Sequence, residues 1–80
     1  MQDKPVESYE ELIAVISEQH PTLSKRLREI ASFAIEHPTS MAIETIANIA
    51  SAANVQPSVL IRFAKAFGFS GFSEMQRVFQ

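Results

Sequence analysis

Ser58, Arg62 and Lys65 stand four and three residues apart, so on a helix they would share one side. An arginine fork, a point positive charge and a small hydroxyl on one face suit a polyanion that also displays base edges. Arginine bonds bidentately to guanine, serine reaches a base or a phosphate, and Val59 would be placed to touch a thymine methyl. Gln56, just before this segment, would pair with adenine or cap the helix. The base-reading candidates are therefore Gln56, Ser58, Val59 and Arg62. The phosphate candidates are Thr45, Lys65, Ser70 and Ser73, because cationic tips, hydroxyls and unpaired amides at helix starts attract anions.

Other chemistry finds no support. The chain has no cysteine, which removes disulfides and thiolate metal sites. His20 and His37 each precede a proline at an expected helix end, with no third ligand at metal spacing. They are read as surface or capping residues. Glu10 and Glu11 are sequence neighbours, so on a helix they point in different directions and cannot face each other as an acid–base pair. No glycine-rich phosphate loop is present. Neither catalysis, nor a cofactor, nor a metal is expected.

The elements that must position the candidate face are helical. Eighty residues with 46% apolar composition and six Phe make one small folded domain rather than a disordered tail. No segment has the length of a membrane span or the plan of a signal peptide, which makes the cytoplasm the expected location. Net charge is −2, but residues 1–20 carry five acidic groups and one basic, while residues 21–80 carry six basic and four acidic. Local surface, rather than this sum, governs contact with a polyanion.

Ser8-Tyr9-Glu10-Glu11 has the form of a capping box and starts a first helix, with Tyr9, Leu12, Ile13 and Ile16 as its apolar stripe; Pro21 ends it. Thr22 would cap a second helix, burying Leu23, Leu27, Ile30, Ala31, Ala34 and Ile35. Lys25, Arg26 and Arg28 fall on its outer side and read as solvated surface rather than as a phosphate clamp. His37-Pro38 stops it, and residues 38–44 form a connector with one helical turn. Thr45 caps the next helix, which runs to Ala53. Pro57 opens another, which closes at Gly68 in a left-handed cap. Ser70 would cap a last helix containing Phe72, Met75, Val78 and Phe79. That pattern is still running at Gln80, giving the expectation that residues 1–80, one domain, are the N-terminal part of a longer protein.

The span from Ile46 to Phe67 meets the steric demands of a helix-turn-helix. Two helices in a tight corner need a small residue where their axes approach, which Ala50 supplies. The corner needs positive φ, which Asn54 tolerates. Val55 would plug the space between the helices. Leu60, Phe63, Ala64 and Phe67 give the second helix its inward face. At about 100° per residue, Ser58, Arg62 and Lys65 then point outward, with Val59 and Ile61 on the flanks. The expected fold is all-α, a compact, homeodomain-like bundle of about five helices containing this motif.

The stretch from Asn54 to Phe72 resembles the N-terminal domain of the RpiR-type transcription regulators, most specifically in Arg62-Phe63 and in Gly68-Phe69-Ser70-Gly71-Phe72. Leu23 to Pro38 resembles that family's second helix. Gln56 stands where the family usually has Ser, and Val59 where Thr is common. The resemblance implies sequence-specific binding of a double-stranded DNA operator in control of sugar or sugar-phosphate genes. It implies action as a homodimer, and a phosphosugar effector sensed only by a further sugar isomerase domain outside these residues. The rival expectation is a small helical protein-docking module. Steep salt dependence of duplex binding separates the two, since counterion release drives only the former.

Overall fold

Five of the helix starts fall where a backbone amide finds a hydroxyl or where a proline needs none. Ser8 Oγ accepts from the Glu11 amide (3.3 Å), Ser24 Oγ from the Leu27 amide (3.5 Å) and Thr45 Oγ1 from the Asn48 amide (3.1 Å). Pro38 and Pro57 occupy first helical positions, where a missing N–H costs nothing. The computed structural model describes residues 8–80. Among them are helices α1 (Tyr9–Gln19), α2 (Lys25–Glu36), α3 (Pro38–Ile43), α4 (Ile46–Ala53), α5 (Pro57–Ala66) and α6 (Phe72–Phe79), with a 3-10 turn at His20–Thr22 and no strand.

The all-α class holds, with six helices rather than about five. The connector at 38–44 is a helix in its own right, started by Pro38. The second helix begins at Lys25 behind Ser24. Thr22 is not its cap: its hydroxyl donates instead to the Gln19 carbonyl (2.7 Å), closing the 3-10 turn. Ser70 likewise lies one residue ahead of the cap position of α6, which Gly71 occupies in an extended conformation. Ile35, expected inside, is 39% exposed, because the buried strip of α2 is the narrower set Ile30, Ala31 and Ala34.

Two left-handed residues set the corners. Asn54 has φ 62° and Gly68 φ 92°. At the first, the Val55 amide donates to the Ala50 carbonyl (2.9 Å) and the Asn54 amide to that of Ser51 (3.2 Å). At the second, the Phe69 amide donates to Ala64 (3.0 Å) and the Gly68 amide to Lys65 (3.1 Å). Both are Schellman closures, which satisfy the last carbonyls of a helix while turning the chain sharply. They bracket α5 from both sides.

Every helix contributes to one core. Leu12 and Ile16 come from α1, Ile30 and Ala34 from α2, Met41 from α3, Ile49 and Ala50 from α4, and Met75 and Phe79 from α6. Phe63, fully buried on α5, is among the largest of these side chains. Helix α5 packs on α2, α4 and α6, while α6 packs on α3. That second contact is stitched by amides: Gln76 Nε2 donates to the Met41 (3.2 Å) and Glu44 (2.7 Å) carbonyls, and Gln80 Nε2 to that of Ala42 (3.0 Å). A six-residue helix leaves most of its carbonyls without an intrahelical donor, and these side chains supply it. No buried side-chain N or O among the described residues lacks a partner.

Candidate nucleic-acid interface

The sequence of α5 divides around its circumference. Leu60, Phe63 and Ala64 are fully buried and hold the helix to the core; Ser58, Ile61, Arg62, Lys65 and Ala66 are exposed. The outward placement of Ser58, Arg62 and Lys65 and the inward placement of Leu60, Phe63 and Ala64 agree with the helical spacing. Phe67 is half-buried, its ring 4.9 Å from that of Phe63. Neither Arg62 nor Lys65 takes part in an ion pair among the described residues, so both charges on this face are uncommitted.

Val59 departs from expectation. It is 3% exposed and part of the core, not a flank residue available to a thymine methyl. The apolar spacing of α5 marks where its inward face is centred. How far the core wraps around the helix depends on α2 and α4, which close over the side carrying Val59. Ile61, on the other flank, stays 40% exposed.

The turn is built as the motif requires. Ala50 is 2% exposed, so it stands at the close approach of α4 to α5, and Val55 packs half-buried against the core. The left-handed Asn54 lets Gln56 run extended before Pro57. No side-chain cap bond is made by Gln56, which leaves its exposed amide at the helix start.

Beside this start lies a groove of about 370 Å³ lined by Ser51, Asn54, Gln56, Ser58, Arg62 and, from α2, Arg26. The sequence places Arg26, with Lys25 and Arg28, on the outer side of its helix as solvated surface rather than as a phosphate clamp; packing of α2 on α5 carries it to this groove. Its neighbours in sequence do other work. Arg28 donates to the Leu23 carbonyl (2.6 Å), and Arg26 itself pairs with Glu29 (3.4 Å).

The phosphate candidates fall at the starts of α4 and α6 and, for Lys65, in the last turn of α5. Thr45 is exposed at the start of α4 and Ser73 in the first turn of α6. At Ser70 the amide is already engaged, donating to Glu74 Oε1 (3.0 Å). The Ser70 hydroxyl and then its amide hold the Glu74 carboxyl below the usual carboxylate range, aided by Arg77 and opposed by partial desolvation. An internal carboxylate therefore occupies the amide offered there to a phosphate. Histidine 20 bonds through Nε2 to Ser32 Oγ (3.1 Å), and the His37 ring lies 4.9 Å from that of Phe33. No cluster of three metal-ligating side chains is found among the described residues, and no helix there is long and apolar enough to cross a membrane.

Comparison with known proteins agrees with this geometry. The N-terminal domain of ybbH from Bacillus subtilis, ascribed a role as a transcriptional regulator, superposes with a TM-score of 0.79 at 25% identity, over 84% of this chain and 82% of that one. The bifunctional protein glk of Burkholderia mallei is 33% identical over 61 residues, 76% of this chain. The chain spans only 10% of that relative's length. Residues 10–79 match the family described as the helix-turn-helix domain, rpiR family. With its corner at Asn54 and its second helix presented outward, the chain belongs to the rpiR family of helix-turn-helix domains, DNA-binding modules of transcriptional regulators.

Proposed function

We propose that the domain docks α5 in the major groove of an operator, with Gln56, Ser58 and Arg62 at base edges. Lys65, Thr45 and Ser73 lie against the phosphates on either side. The observation that carries this is the uncommitted charge of Arg62 and Lys65 on the exposed side of a helix whose other side is locked into the core. Arginine there has the fork that guanine recognition needs. Thr45 and Ser73 stand at helix starts, where amides favour an anion.

The regulator works as a dimer on two half-sites, controls genes of sugar or sugar-phosphate metabolism, and senses a phosphosugar through a separate domain. These three statements rest on the family resemblance. In this division of labour the helix-turn-helix domain performs no chemistry of its own, and the protein acts where its DNA is, in the cytoplasm.

The test is a duplex titration at two salt concentrations. With Lys65 against a phosphate and the Arg62 charge beside the backbone, one to two phosphates are neutralised, the slope of log K against log salt is about −1 to −2, and binding weakens roughly 3- to 12-fold between about 50 and about 200 mM salt. The isolated domain binds weakly, since it lacks the linkage that holds two copies on adjacent half-sites. Absence of duplex binding at either salt refutes the proposal and favours a docking module.

A further inference from the structure

We infer that Arg26, on α2 and outside the helix-turn-helix, grips a backbone phosphate of the duplex held by α5, and that Glu29 keeps it waiting there. The inference rests on the proposed DNA contact and adds to it a residue and a restraint.

The groove beside the start of α5 is lined by two arginines, Arg26 and Arg62, and by the polar side chains Ser51, Asn54, Gln56 and Ser58; no carboxylate lines it. The other depressions described are different. The one of about 810 Å³ mixes Lys25 and Arg28 with Glu29 and Glu36, and a third carries Glu36 beside His20. Of the two guanidinium groups that line it, Arg62 has no ion-pair partner among the described residues and Arg26 has only the exposed contact to Glu29, which does not itself line the groove. Phosphate oxygens are the chemical class that suits this lining, because the planar guanidinium fork matches them. With Arg62 directed at bases, the strand that borders the groove passes α2.

Arg26 is also free to move. Its side chain is 58% exposed, and it meets Glu29 through one Nη1–Oε1 contact of 3.4 Å between residues three apart on the same helix. Exposed, single-contact pairs of this kind contribute little and are screened by salt. A phosphate, offering a fork-to-fork pair, displaces the carboxylate. Glu29 thus orients Arg26 near the groove while competing with DNA for it.

The experiment uses the 80-residue chain and a fluorescent 20-base-pair duplex pool of random sequence, since a phosphate contact is independent of sequence. Arg26→Ala is expected to weaken binding about 3- to 10-fold and to flatten the salt slope by about 0.9, the share of one phosphate. Arg26→Lys should recover most of both, because it keeps the charge. Glu29→Gln should tighten binding a few-fold, and less so when combined with Arg26→Ala. Thermal melting of each variant controls for folding, and the three side chains altered in these tests, Arg26, Glu29 and Arg62, are outside the core. If Arg26→Ala leaves affinity and slope unchanged while Arg62→Ala weakens binding, the role of Arg26 is refuted and DNA binding by α5 stands. If the unaltered chain binds no duplex, both fall together.

Discussion

Replacing Asn54 tests the corner on which the presentation of α5 depends. Its φ of 62° is a conformation that costs a Cβ-bearing residue about 1–2 kcal/mol, and asparagine less. An alanine there has two options. It can keep the left-handed turn and bear the strain, or relax to right-handed backbone and lose the bonds from Val55 to Ala50 and from Asn54 to Ser51. Two bonds at about 1 kcal/mol each, together with the half-buried contact of Val55, outweigh the strain. Asn54→Ala should therefore keep the fold and lose about 1 kcal/mol. Asn54→Gly removes the strain but frees the unfolded chain by about 0.4–1 kcal/mol, so it should fall close to the unaltered protein. Asn54→Val, β-branched, should cost about 2 kcal/mol or more. Urea unfolding resolves this order as shifts of the midpoint at constant slope. Equal stability across the Gly, Asn, Ala and Val series would show that the turn does not demand this backbone, and the account of the corner would be wrong.

Arg62→Ala should leave the melting curve unchanged and cost about 1–3 kcal/mol of affinity for a selected operator; unchanged operator affinity removes Arg62 from the base contacts. Val59→Ala should do the reverse, destabilising by about 2 kcal/mol through two lost methyls and the space they leave, with the intrinsic salt slope of DNA binding intact. Gln76→Ala removes the donor to two carbonyls at the end of α3 and should cost about 1–3 kcal/mol, with faster amide exchange in α3; protection equal to the parent would contradict that role. Because the Glu74 carboxyl is held low in the folded chain, its contribution is present above the ordinary glutamate value of about 4.3 and fades as pH falls through the lowered value. A side-chain carbon titration should place its midpoint below the ordinary glutamate value, and Glu74→Gln should flatten the acid limb of the stability curve.

What was legible in the sequence was local. Ser8, Thr45, Pro57, Asn54 and Gly68 act within four residues of themselves, through a cap, a ring or a left-handed turn, and so their effects can be read from spacing. The start of α2 shows the limit of this. Thr22 and Ser24 are both competent caps, and the choice fell to Ser24 because the 3-10 turn after Pro21 consumes the Thr22 hydroxyl. Pro38 ended one helix and began another, and only the second role was hidden. The remaining features depend on distant partners. Val59 is buried because α2 and α4 widen the covered arc of α5, Arg26 reaches the groove from another helix, and Gln76 finds carbonyls 32 and 35 residues away. No periodicity in a single strip of sequence encodes such meetings.

The two Schellman closures around α5 have a consequence for how such a protein changes over time. They fix where the helix begins, where it ends and which way it is rolled, using backbone bonds and the buried side chains beneath the helix. The residues at 58, 61, 62 and 65 can therefore be rewritten with little debt to stability. A new DNA preference can be written on the outer strip while the scaffold beneath stays as it was, so target choice and folding are free to evolve as separate traits.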